Sequence, residues 1–211
     1  MAAGKRVHPL IKIALALLLL AGAGWLFVRS AQDARAEPYQ ISARHLQGWT
    51  LGIDTAADSQ GSVVSLRPPP ELPMNLFRQL FSRQMESMGT PSAPGIPLVL
   101  RQELPSTVTA EQVLALAQAA GLERAAIVPS CVGYRRVSAM GATRQLYYVL
   151  FTVPGFEAFR ARLAQQAGNG LKPDALSPVL MMASQPDFTG WMPIGADAGR
   201  DCIAPVTVEP E

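Results

Sequence analysis

Lys5-Arg6-Val7-His8-Pro9-Leu10-Ile11-Lys12 leads straight into an apolar run of 16 residues, Ile13 to Val28. No other feature of the chain restricts its folding as much, because such a run has no polar face to offer water. A membrane-spanning helix needs about 20 mainly apolar residues. Counting from Pro9, with the Lys12 stem lying along apolar surface and its ammonium at the interface, gives 20 residues to Val28. A secretory signal peptide has a shorter apolar core, about 7–15 residues, closely followed by a small-residue cleavage site. Ala34-Arg35-Ala36 fits that cleavage pattern but lies eight residues beyond Val28, among Arg29, Asp33 and Arg35. Trp25 and Phe27 suit an interfacial aromatic belt. The reading favoured is an uncleaved transmembrane signal-anchor at 9–28, after a tail at 1–8 and before a linker at 29–38.

Orientation follows from charge. Lys5, Arg6 and Lys12 flank the apolar run on one side with no acidic residue, whereas Arg29 and Arg35 on the other side are mixed with Asp33. The positive-inside rule places the amino terminus in the cytoplasm and the body outside. The expected location is therefore the inner (cytoplasmic) membrane, single-pass, with the carboxyl-terminal domain in the periplasm. The formal net charge of +2 hides an uneven distribution: Met1 to Ala36 carries +4 and the remainder −2. A body of that charge has no electrostatic footprint for a phosphate backbone, so no nucleic-acid partner is expected.

The 175 residues from Glu37 onward are enough for one domain with a real core. Tyr39–Leu46, Trp49–Ile53 and Ser62–Leu66 are β-compatible, and Arg67-Pro68-Pro69-Pro70 stops the third run. Pro73 suits the first turn of a helix to about Met88, with Leu76, Phe77, Leu80, Phe81, Met85 and Met88 on one face. That amphipathic helix is expected to cover the domain's own core, with docking on a membrane or partner as the alternative. From Ile96 the pattern is regular: a strand to Glu103, a Thr109-capped helix ended by Gly121, and a strand reaching Val137. A strand over 144–153, a helix over 155–167 and a strand over 177–184 follow. The expected fold is α+β: a transmembrane helix, then one domain at 39–211. Its ferredoxin-like β-α-β-β-α-β core over about 96–185 would be extended by an N-terminal hairpin and the amphipathic helix. Trp191–Ile194 and Cys202–Val208 would add irregular or edge strands.

The body's two cysteines, Cys131 and Cys202, read as one disulfide in an oxidising compartment, against two unpaired buried thiols. Catalytic chemistry finds little support. His45 is the one histidine of the body, and no G-x-S-x-G elbow accompanies it. One histidine and two distant cysteines do not make a tetrahedral zinc site, and no glycine-rich phosphate motif opens a helix. Asp54 with Asp58, or Asp187 with Asp197 and Asp201, are paired carboxylates of a kind abundant on soluble surfaces. No catalytic residue, cofactor or metal is expected. Two surfaces suit a partner or ligand: Arg135, Arg136 and Arg144 on one hairpin, and Phe188, Trp191 and Met192 in a turn-rich loop. The function expected is that of a non-enzymatic, membrane-anchored accessory protein that binds another envelope protein. The alternative is a small-ligand binder or hydrolase using an Arg/acidic pocket on the same domain.

Overall fold

A computed structural model describes residues 9–54, 61–84, 86–139, 142–167, 171–185 and 195–210. The chain divides into two compact units between Glu37 and Pro38. The first holds helix α1 (Pro9–Ala36). Its stretch Lys12–Ser30, 19 residues, is long and apolar enough to cross a membrane. At 1.5 Å per residue that is about 28 Å, close to the hydrocarbon thickness of a bilayer. The helix runs through the segment expected as a linker, so only Glu37 and Pro38 precede the first strand.

The second unit is a mixed α+β domain. Strands β1 (Tyr39–Ser42), β2 (Thr50–Ile53), β3 (Ser62–Arg67) and β4 (Ile96–Leu100) come first, with a 3₁₀ turn (Ala43–Leu46) after β1 and α2 (Glu71–Gln84) after β3. Then follow α3 (Ala110–Ala119), β5 (Val128–Ala139), β6 (Ala142–Thr152), α4 (Phe156–Ala167), β7 (Val179–Gln185), α5 (Ala198–Asp201) and β8 (Cys202–Glu209). A five-stranded sheet in the order β1-β8-β5-β6-β7 and a three-stranded sheet in the order β2-β3-β4 curl around a common core.

Local signals are answered locally. The Thr109 side chain accepts from the Gln112 amide at 3.3 Å, while Gln112 Oε1 accepts from the Thr109 amide at 2.9 Å. Gly121 leaves the helix at φ 68°, where a side chain would be strained. Helix α2 starts at Glu71, two residues before Pro73, because the Pro69 and Pro70 carbonyls accept from Leu72 and Met74.

The element order β4-α3-β5-β6-α4-β7 matches the sequence pattern, but its pairing does not confirm a ferredoxin-like core. There each crossover helix joins parallel strands, whereas β6 and β7 are direct antiparallel neighbours and β4 pairs with β3. Strands β4 and β7 are buried almost throughout, so neither carries an alternating pattern that would mark its partner. The N-terminal hairpin is β2 with β3; β1 instead pairs in parallel with β8. Strand β8, expected at an edge, therefore lies inside the sheet.

Candidate interaction site

Strands β5 and β6 form a long hairpin that outruns its neighbours. Pairing with β8 ends at Gly133 opposite Cys202, and pairing with β7 ends at Gln145 opposite Gln185. Beyond those positions β5 and β6 pair only with each other among the described strands, up to Ala139 opposite Ala142. The arm is held at its base by a relay of side chains: Tyr134 donates to Gln145 at 2.9 Å, and Gln145 donates to Gln185 at 2.7 Å. Farther out, the Ser138 and Thr143 hydroxyls meet at 2.9 Å across the ladder.

The register separates the three arginines. Arg135 lies opposite Leu146 and Val137 opposite Arg144, whereas Arg136 lies opposite Gln145. Successive strand residues point to opposite faces, so Arg135 and Arg144 share one face and Arg136 takes the other. Arg136 is exposed. They do not form the single arginine face that sequence proximity suggests.

Arg135 is committed elsewhere. Its guanidinium pairs with the Asp201 carboxylate and donates to the Gly195 carbonyl at 3.2 Å. Asp201, 5% exposed, also accepts from the Asp197 amide at 2.9 Å and from Arg200 Nε at 3.0 Å, and Arg200 reaches the Gly195 carbonyl at 2.6 Å. Burial opposes ionisation of Asp201, but donors from Arg200, the Asp197 amide and Arg135 outweigh it and hold the carboxyl well below the usual range. Tyr148 lies fully buried nearby, its hydroxyl without a hydrogen-bond partner. Burial raises its pKa, and the Asp201 charge adds to the rise.

This polar knot closes a small apolar cluster of Cys131, Leu146, Tyr148, Leu150, Val179, Met181 and Ala196. The disulfide between Cys131 and Cys202, with Cα atoms 5.7 Å apart, ties the same place covalently. Gly133 is required there: a Cβ would lie 2.9 Å from Leu150 Cδ1 and collide with the Tyr148 ring. Knot and disulfide thus fix the carboxyl-terminal base of segment 186–194. Phe188, Trp191 and Met192 themselves lie outside the described residues.

The other sequence candidates are structural. Asp54 accepts from Ser65 and Arg67, each at 2.9 Å, bracing the β2–β3 hairpin; Asp58 and Asp187 lie outside the described residues. Asp197 caps α5 through the Arg200 amide at 3.1 Å. His45 sits on the 3₁₀ turn with its Nδ1 buried and without a hydrogen-bond partner. Among the described residues no group of three or more His, Cys, Asp or Glu is placed to hold a metal ion.

Two features escape the sequence reading. Arg160 is fully buried and spends its guanidinium on Glu103 at 2.6 and 3.2 Å, and on the carbonyls of Leu98, Lys172 and Pro173. The signal was available: Arg160 follows Phe156 and Phe159 and precedes Leu163 at core-facing helical spacing. The second is an apolar groove of about 200 Å³ beside α2, lined by Pro70, Pro73, Met74, Phe77, Pro91 and Met181 among others.

Fold and site together define an α+β domain that follows an apolar helix of membrane-spanning length, with an arginine-bearing β-arm based on a polar knot and a disulfide. No family model, curated protein or solved structure matches the chain.

Proposed function

We propose that this chain is a single-pass accessory protein of the cell envelope, its amino terminus inside and its domain in the periplasm. The domain binds another envelope protein through the β5–β6 arm. The observation that carries this reading is the arm itself: two strands continuing past their sheet neighbours, bearing Arg136 and Arg144 and no acidic residue from Tyr134 to Gln145. A body of net charge −2 that concentrates basic groups on a projecting hairpin suits a partner with an acidic patch. The disulfide supports an oxidising compartment, in agreement with the orientation drawn from Lys5, Arg6 and Lys12. A small-ligand pocket on the same face has less support, because Arg135 and Asp201 are occupied by one another. The test is crosslinking in intact cells followed by purification through a carboxyl-terminal tag. One near-stoichiometric membrane protein should co-purify and be lost in the Arg136→Glu/Arg144→Glu variant. A protein that purifies alone, or a partner retained by that variant, contradicts the assignment.

A further inference from the structure

The direction of the backbone bonds along the β5–β6 arm shows which groups its edges leave open. Ser184 exchanges both backbone bonds with Gly89, each at 2.9 Å, so its amide and carbonyl point away from β6. In an antiparallel ladder bonded and non-bonded pairs alternate. Leu146, opposite Ser184, therefore turns its amide and carbonyl toward Arg135 on β5. The ladder runs without a bulge from Arg135 opposite Leu146 to Ala139 opposite Ala142. Arg135, Val137 and Ala139 thus bond toward β6, whereas Tyr134, Arg136 and Ser138 turn their amides and carbonyls the other way.

On that other side β8 accompanies β5 only as far as Cys202, opposite Gly133. Helix α5, which leads into β8, reaches Arg135 through Asp201. Beyond it, no described residue bonds the outward amide or carbonyl of Arg136 or Ser138, and both residues are exposed. An open edge of this kind is a template for another strand unless a proline or a charge spoils it. Between Tyr134 and Ala139 there is no proline, and the charges are Arg135 and Arg136. A second copy of this edge, paired antiparallel, would set like charges against each other. A strand bearing carboxylates would set opposite ones.

We infer that the Arg136–Ser138 edge takes up an extended strand of the partner envelope protein, with an Asp or Glu beside Arg136. The inference rests on the function proposed above and names its mode of recognition. Backbone bonds to Arg136 and Ser138 would hold the strand, and the Arg136 side chain would select it. The added strand would continue the line of β8 along β5, widening the five-stranded sheet where β8 gives out.

Ser138 and Thr143 provide a matched test. They stand opposite each other and share one hydroxyl contact, yet their amides point to opposite edges of the arm. Ser138→Pro and Thr143→Pro each remove that contact and one outward amide, and leave the ladder bonds and the arginines in place. Both are made in the full chain and crosslinked in intact cells as above. Ser138→Pro should lower the yield of the crosslinked partner about fivefold or more, the effect of one lost bond and an unpaired acceptor. Thr143→Pro, and Ser138→Val, which keeps the amide, should stay close to wild type. A photoreactive benzoylphenylalanine at Ser138 should attach to a partner peptide with Asp or Glu near the linkage. Equal yields from the two proline variants, high or low, overturn the strand pairing, as does an attached peptide without carboxylates. If the partner is still lost in Arg136→Glu/Arg144→Glu, the accessory reading stands without it. A wild-type chain that captures no partner overturns both.

Discussion

The two faces of the β5–β6–β7 sheet are held by different forces. On one side Val132, Val149, Leu180 and Met182 join a large core with α2, α3, α4 and the three-stranded sheet, closed at one point by the buried Arg160–Glu103 pair. On the other side seven buried residues, with Val137 packed against them, form the apolar cluster among the described residues, and the Asp201 knot and the Cys131–Cys202 bond close over them. Burial of apolar area is non-directional and holds broad surfaces together. Hydrogen-bonded charges and a disulfide are directional and hold particular positions. The face bearing Arg135, Arg144 and the base of segment 186–194 is thus the one where position is fixed and apolar contact is sparse, an arrangement suited to presenting residues outward.

Three substitutions probe that contrast. Arg160→Ala should have the largest effect. It leaves the Glu103 carboxylate, the buried Leu98 carbonyl and the carbonyls of Lys172 and Pro173 without their donor, and loss of one partner of a buried pair costs about 3–5 kcal/mol. Urea unfolding of the domain should show that loss. Asp201→Asn should cost less, about 1–3 kcal/mol, because the neutral amide weakens the bonds from Arg135 and Arg200 without emptying the site.

The pH dependence of the Asp201 substitution has a definite sign. The folded carboxyl titrates below its ordinary value, so its contribution to stability is complete above the unfolded pKa of about 3.9. That contribution is lost as the pH falls from there toward the folded pKa. Wild type should lose stability through that window more steeply than Asp201→Asn, read from unfolding midpoints in an acid series. Equal acid slopes would show that the knot does not hold a charged carboxylate. The smallest effect belongs to Arg136→Ala, which should change stability by no more than about 0.5 kcal/mol, as for other exposed positions. A large loss there would mean that the arm is part of the folded framework and not a presented surface.

What the sequence made legible was local. The Thr109–Gln112 capping pair, Gly121, and the amphipathic spacing of α2 and α4 each depend on a few adjacent residues, and each element appears within a few positions of where its pattern puts it. Strand partners were not legible. Strands β4 and β7 are buried almost throughout, so neither carries an alternating pattern that would mark its neighbour, and β7 joined β6 where a crossover had been expected. The candidate site divided in the same way. Cys131 and Cys202 paired as their number suggested, but Arg135, Arg136 and Arg144 were read as one cluster when strand alternation sends the middle one to the opposite face. Arg160 shares the core-facing spacing of Phe156, Phe159 and Leu163, but nothing in the local sequence names Glu103, 57 residues away, as the partner that allows its burial.

Hydrogen exchange of the whole protein, before and after reduction of Cys131–Cys202, tests most directly whether one face depends on ties and the other on burial. The bond joins the exposed residue Cys202 to the buried Cys131. Reduction should raise exchange in 195–205 and along Cys131–Ala139, while Leu98, Val149, Phe159 and Leu180 keep their protection. Loss of protection spread evenly over both faces would contradict the account, as would an arm and an α5 region that exchange no faster once the bond is open.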